Sequence, residues 1–189
     1  MIDIFGMKRG AIIFLLLAVM GGDNASATSF LPNPLRIRQI MDVPSACLPQ
    51  GDGKSIQLNR AYVMENSLWG GAAEHQWIIK LIPGSVPLTL HPGECVAFGK
   101  RISGYEQYDG LRLLDVGKTY VFVLERGDRP NERVSRNYVG AFCVMRLSDG
   151  RVAYLPYIDH PDGTTTYPAC GRRIGGPPAP DGVIPPNMQ

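Results

Sequence analysis

The stretch KTYVFVLE, residues 118–125, decides the fold. In an extended chain Tyr120, Phe122 and Leu124 fall on one face, and the two valines between them fall on the other. A strand that is apolar on both faces needs cover on both sides, which is typical of the centre of a sheet. The sequence therefore predicts that this stretch is a central strand of a β-sandwich.

Two further extended segments follow it and form the clearest hairpin signal of the chain. Residues 138–147 and 151–158 are both rich in apolar residues, and Ser148-Asp149-Gly150 separates them. A short loop that contains glycine, placed between two such runs, favours an antiparallel hairpin.

Short extended segments also precede residue 118. They are residues 55–65, 77–82, 86–90 and 95–98, and glycine and proline turns separate them. No window keeps apolar residues at helical spacing over three turns, although residues 34–41 could form one short helix. The fold class predicted is therefore all-β, as an antiparallel β-sandwich or a small barrel stapled by disulfides.

The N-terminus has the composition of a signal peptide, which we assign to residues 1–27. Lys8 and Arg9 precede the apolar run 11–20, and Ala25-Ser26-Ala27 supplies a small-residue cleavage site. A membrane span needs about 20 apolar residues, so this run is too short for one. We expect cleavage, with a short uncleaved anchor as the alternative, and hence a periplasmic or secreted protein without stable membrane insertion.

The remaining chain divides into three parts by composition. Residues 28–46 contain three prolines and are interpreted as an irregular lead-in, and residues 47–170 as the β domain. Residues 171–189 are rich in glycine and proline and offer little apolar surface to offset their ordering entropy. We therefore predict a disordered tail.

The four cysteines all lie beyond the leader. An even number of cysteines in an exported chain predicts disulfides, here between Cys47, Cys95, Cys143 and Cys170. Three connectivities are possible, and the pairing of nearer neighbours, Cys47 with Cys95 and Cys143 with Cys170, is favoured because it needs less long-range order. No Cys-x-x-Cys spacing supports a redox motif or a zinc knuckle.

Motifs that carry catalysis or bind cofactors are missing from the sequence. The three histidines have no metal-ligand spacing, and there is no Gly-x-Ser-x-Gly elbow. Residues 159–163 combine two aspartates with His160 but lack the ligand spacing of a calcium loop. The formal net charge of +2 gives no electrostatic argument for nucleic acid. We expect a protein that is not an enzyme and needs no cofactor or metal.

Two segments are candidates for protein recognition. Tyr105 and Tyr108 lie in a loop-like stretch, and exposed tyrosine offers contact area at low entropic cost. Arg126 and Arg129 belong to an arginine-rich segment interpreted as a long hairpin loop. We predict that these four residues contact a protein partner.

One family resemblance rests on the order of several short motifs. The motifs are, in order, Cys47, Gly51-Asp52, the segment 92–95 (PGEC) and the segment 117–122 (GKTYVF). From about Cys47 to Glu125 the chain resembles the small exported domain of type VI secretion immunity periplasmic lipoproteins. The chain departs from that pattern because it lacks the lipidated cysteine and carries a further cysteine-containing segment. The resemblance implies a protein that binds and neutralises a toxin in the periplasm.

The sequence therefore predicts an exported, periplasmic protein-binding domain, and more specifically an immunity or inhibitor protein. The competing interpretation is an exported hydrolase or carbohydrate-active enzyme, for which Asp159 and Asp162 would be the first residues to test. A third interpretation is a subunit of a surface or secretion assembly.

Overall fold

A computed structural model describes residues 32–51, 54–66, 74–108, 111–127, 135–160 and 164–170. In these ranges the chain forms strands and turns and no helix, so the predicted all-β class is confirmed. The strands are β1 (Asn33–Pro34), β2 (Arg36–Ile40), β3 (Val43–Cys47), β4 (Ile56–Glu65), β5 (His75–Leu81), β6 (Thr89–Leu90), β7 (Cys95–Ala97), β8 (Tyr105–Tyr108), β9 (Thr119–Arg126), β10 (Asn137–Arg146), β11 (Val152–Pro156), β12 (Ile158–Asp159) and β13 (Thr165–Thr166).

The largest sheet has the strand order β1-β10-β9-β4-β5-β8, with β11 also paired to β10 and β6 to β4. Strand β9 lies between β10 and β4 and is antiparallel to both, so the central position predicted for residues 118–125 is confirmed. Its alternate residues Tyr120, Phe122 and Leu124 are completely buried. The β10–β11 hairpin is confirmed as well, with Phe142 opposite Pro156 and Arg146 opposite Val152.

A second sheet, with the order β2-β3-β7, packs on the inner face of the large sheet. The two sheets approach each other closely at Gly140 of β10. A Cβ atom at this position would lie 2.9 Å from Ile37 Cδ1 and 3.1 Å from Leu35 Cβ. Because glycine has no side chain, these two apolar residues can cover the middle of β10.

The core between the sheets is rich in aromatic rings. The Trp77 and Phe122 rings meet edge to face with centroids 5.8 Å apart, and Tyr120 stacks on Phe142 at 5.8 Å. Such pairs contribute about 0.5–1.5 kcal/mol beyond the burial of their area.

The irregular lead-in predicted for residues 28–46 is wrong in its described part, and so is the short helix considered for residues 34–41. From residue 33 onward this segment forms β1, β2 and β3, and Leu35, Ile37 and Ala46 are buried in the core. The prolines are tolerated because Pro34 lies on a two-residue edge strand and Pro44 lies just outside the part of β3 that pairs with β7. The β domain therefore begins before residue 47.

Both disulfides have the predicted connectivity. Cys47 and Cys95 occupy directly paired positions on β3 and β7, and Cys143 of β10 is bonded to Cys170. Disulfides persist in oxidising compartments, which indicates an extracytoplasmic location. Within the described ranges, no helix has the length and apolar character needed to cross a membrane. The predicted leader 1–27 and tail 171–189 lie outside the described residues.

Candidate protein-binding face

The large sheet has an inner face that is buried by the second sheet and an outer face that, among the described residues, is covered at one end. Side chains alternate between the two faces, so Cys143, which lies between the buried Phe142 and Val144, points outward. Its disulfide to Cys170 therefore ties the C-terminal segment to the outer face.

The C-terminal segment covers this end of the outer face through tyrosines. The hydroxyl of Tyr157 lies 3.2 Å from Thr119 Oγ1 at the start of β9, and the Tyr157 ring meets the Tyr167 ring edge to face at 5.5 Å. Tyr157 is 7% exposed, which shows that this end of the face is closed.

Away from that end, apolar residues form a continuous line across five strands. Cross-strand pairing places Val139 of β10 beside Val123 of β9, Val123 beside Tyr62 of β4, Tyr62 beside Ile78 of β5, and Ile78 beside Tyr108 of β8. We call these five residues the outer row. With neighbouring strands about 4.8 Å apart, the row is about 19 Å long.

Most of the outer row is accessible to solvent. Tyr108 is 43% exposed, Tyr62, Ile78 and Val139 are partly exposed, and Val123, which lies between Val139 and Tyr62, is buried. The Arg60 guanidinium lies over the Tyr62 ring, 5.0 Å from its centroid, and burial raises the pKa of the Tyr62 hydroxyl. The outward face of an antiparallel sheet is usually polar, so a partly exposed apolar line across it is a distinctive feature.

A line of polar residues runs parallel to the outer row and is displaced from it by two residues on each strand, always toward the same side of the sheet. Register aligns its members in the order Asn137, Glu125, Arg60, Lys80 and Glu106. Arg60 Nη2 and Nε lie 2.6 and 2.9 Å from Glu125 Oε2, so this ion pair is bidentate on the arginine side. The apolar row therefore has a charged border on one side.

The outer face ends at β8, which pairs with β5 and with no other strand among the described residues. On the inner side of this edge an open groove of about 770 Å³ is lined by Ile79, Arg101, Ile102, Ser103, Gly104, Tyr105 and Gln107. Tyr108 and the groove thus flank the same edge strand on opposite faces.

The structure brings two of the predicted partner-binding residues to this edge. Tyr105 lies on the inner side, where its hydroxyl donates to the Leu58 carbonyl at 2.5 Å and accepts from the Leu88 amide at 3.0 Å. Tyr108 lies on the outer side, where a hydrogen bond to the Glu106 carboxylate raises the pKa of its hydroxyl. The Tyr105 side chain therefore stabilises the fold, whereas the exposed Tyr108 side chain is accessible to a binding partner.

The predicted arginines are placed elsewhere. Arg126 is the last residue of β9 and is half-buried, and its amide donates to the Arg136 carbonyl at 3.0 Å. Arg129 lies outside the described residues. Tyr62, Ile78 and Val139 were not predicted to bind a partner, although each is an aromatic or aliphatic residue at an outward position of its strand.

Asp159, the described aspartate of the hydrolase interpretation, and His160 are bonded to threonines of the β12–β13 hairpin. Thr165 Oγ1 donates to Asp159 Oδ1 at 2.8 Å, and His160 Nε2 lies 2.7 Å from Thr166 Oγ1 across the β12–β13 hairpin. Asp162 lies outside the described residues. Within the described part of the chain, no group of three or more His, Cys, Asp and Glu residues could hold a metal ion.

Comparison of the chain with protein-family models, with curated proteins and with solved structures finds no match.

Proposed function

We propose that this chain is an exported, periplasmic protein-binding domain that acts by binding rather than by catalysis. The outer row is the observation that supports this function. Large contiguous apolar patches on a protein surface usually mark interaction sites, and the accessible part of this row, Tyr62, Ile78 and Tyr108, is contiguous and lies beside a charged border.

The shape of the face favours a protein over a small molecule as its partner. Sites for small molecules are concave and bury most of the ligand, whereas the outer row follows an open sheet for about 19 Å. Protein interfaces are broad, with a few well-packed aromatic anchors that carry most of the binding energy. Tyr62 and Tyr108 are such anchors by type and position.

The specific role that we propose is immunity or inhibition, in which the domain neutralises a secreted toxin. The resemblance to type VI secretion immunity lipoproteins supports this role, together with the predicted leader and the two disulfides. A toxin gene or secretion-spike gene beside the gene for this chain would support it further.

Capture of a partner from periplasmic extract tests the binding function. The full-length protein is compared with the variants Ile78→Thr and Tyr108→Ser, which replace outer-row residues without disturbing the inner core. The matched control is Met41→Asn, because Met41 is 89% exposed but lies in the turn between β2 and β3, away from the row.

We expect one protein to be captured in stoichiometric amount by the wild type and by Met41→Asn. Each outer-row variant should weaken that binding at least tenfold, or about 1.4 kcal/mol. A clean monomer with no partner and with detectable hydrolase activity would contradict the proposal. So would equal binding by all variants, because it would place the interface elsewhere.

A further inference from the structure

The two edges of the large sheet differ in whether their outward main-chain groups are hydrogen-bonded. At the β11 edge a side chain caps these groups. The carbonyl of Val152 and the amide of Tyr154 point away from β10, where a further strand would pair. The side chain of Gln39 occupies that place: its Nε2 donates to Val152 O and its Oε1 accepts from Tyr154 N, both at 3.2 Å. One carboxamide thus imitates a peptide group and blocks the edge against pairing.

No described side chain caps the opposite edge, at β8, although the amide of Tyr105 donates to the Ile102 carbonyl within a turn at 3.1 Å. The amide of Ile82 donates to the Gly104 carbonyl at 3.0 Å, which fixes the hydrogen-bond pattern of the β5–β8 ladder. In an antiparallel ladder bonded pairs recur at every second residue, so Glu106 and Tyr108 bond to β5 and Gln107 does not. The amide and carbonyl of Gln107 therefore point outward from the sheet.

The groove beside this edge adds a charge preference. Arg101 lines the groove, and its guanidinium has no ion pair or hydrogen bond with any described residue. Lys100 precedes it and is also exposed. Gln107 and Ile79 form the same side of the sheet, so a residue added opposite Gln107 would point its side chain into this groove.

We propose that the β8 edge binds an extended segment of the partner protein as an added strand, with acidic side chains facing Arg101 and apolar side chains continuing the outer row beyond Tyr108. In strand addition, main-chain hydrogen bonds supply affinity and alternate side-chain sites supply specificity, and this edge offers both. The inference rests on the proposed protein-binding function and names the manner of recognition.

Two capped heptapeptides, EVEVEVE and KVKVKVK, are the probes for this site, titrated into the full-length isotope-labelled protein. The glutamate peptide should shift the amide resonances of residues 105–108 saturably and slow hydrogen exchange at the Gln107 amide. The lysine peptide should bind at least tenfold more weakly, because its cations face Arg101. In Arg101→Gln this preference should disappear.

The matched pair Gln107→Pro and Gln107→Ala separates the main chain from the side chain. Proline removes the outward amide without removing a hydrogen bond to β5, so it should abolish binding of the glutamate peptide, whereas alanine should retain it. If Gln107→Pro does not fold, hydrogen exchange at the Gln107 amide of the wild type is the test. Strand addition requires this exchange to be slower with the glutamate peptide than without it.

Strand addition is overturned by equal binding in the proline and alanine variants, by equal affinity for the two peptides, or by the absence of shifts at β8. If the periplasmic partner is still captured through the outer row in any of these cases, the protein-binding function stands and only this manner of recognition fails.

Discussion

Met41 and Asp42 turn the chain between β2 and β3, and both have positive φ, of 47° and 60°. This is the conformation of a two-residue type I′ turn, which glycine and asparagine adopt most readily. Side chains with a Cβ atom are strained in it, so the turn costs of the order of 1 kcal/mol or more. The surrounding sheet, with Ile40 paired to Val43, holds the turn in place.

The double variant Met41→Asn with Asp42→Gly should therefore stabilise the protein. We expect a gain of about 1 kcal/mol in the free energy of unfolding, because the new residues suit the turn better. Urea denaturation measures this gain. An unchanged or lower stability would contradict the assignment of this turn.

The same turn explains why the β2–β3 hairpin could not be predicted from the sequence. A Met-Asp pair carries no hairpin signal, and Pro34 and Pro44 indicate an irregular segment rather than strands. The strands that were predicted correctly, such as β9 and β10, have apolar alternation that does not depend on their neighbours.

The candidate face was less predictable than the strands. The outer row exists only because pairing aligns single residues from five strands, and register cannot be obtained from one strand at a time. Tyr108 was selected as an exposed aromatic residue, but the alignment of Tyr62 and Ile78 with it depends on the whole sheet.

At the scale of elements, β2 is an integral strand of the domain and does not belong to an irregular lead-in. Removing residues 28–40 would delete β1 and β2 and expose the core beneath Leu35 and Ile37. Each of these side chains contributes roughly 1.5–3 kcal/mol on burial, so we expect the truncated chain to be unfolded or nearly so. Circular dichroism with thermal melting tests this, and a truncated domain with wild-type stability would show that the second sheet is dispensable.

At the scale of the molecule, one disulfide reinforces a strand pair and the other attaches the C-terminal segment to the large sheet. Cys47–Cys95 links β3 to β7 in the second sheet, and Cys143–Cys170 holds the C-terminal segment on the outer face. Each bridge contributes about 2–4 kcal/mol, so reduction should lower the melting temperature by at least about 10 °C. Titration of the unreduced protein should find no free thiol, and four reactive thiols would contradict this account.

Deletion of the tail from Gly175 onward is expected to change stability little. The segment is rich in glycine and proline and has few residues to pack. The melting temperature should stay within about 2 °C of the full-length value. The tail follows Cys170, which is bonded to Cys143 on the outer face. A large decrease in melting temperature would therefore indicate that the tail packs on the outer row.

Hydroxyl-radical footprinting of the protein, alone and bound to its captured partner, tests the central claim most directly, because it reports the solvent exposure of individual side chains. We predict that oxidation of Tyr108 and of Met64, which is on the same face, falls at least several-fold in the complex, while the exposed Met41 is oxidised at the same rate. Protection of Met41 with unchanged oxidation of Tyr108 would contradict the claim that this domain binds protein through the outer face of its large sheet.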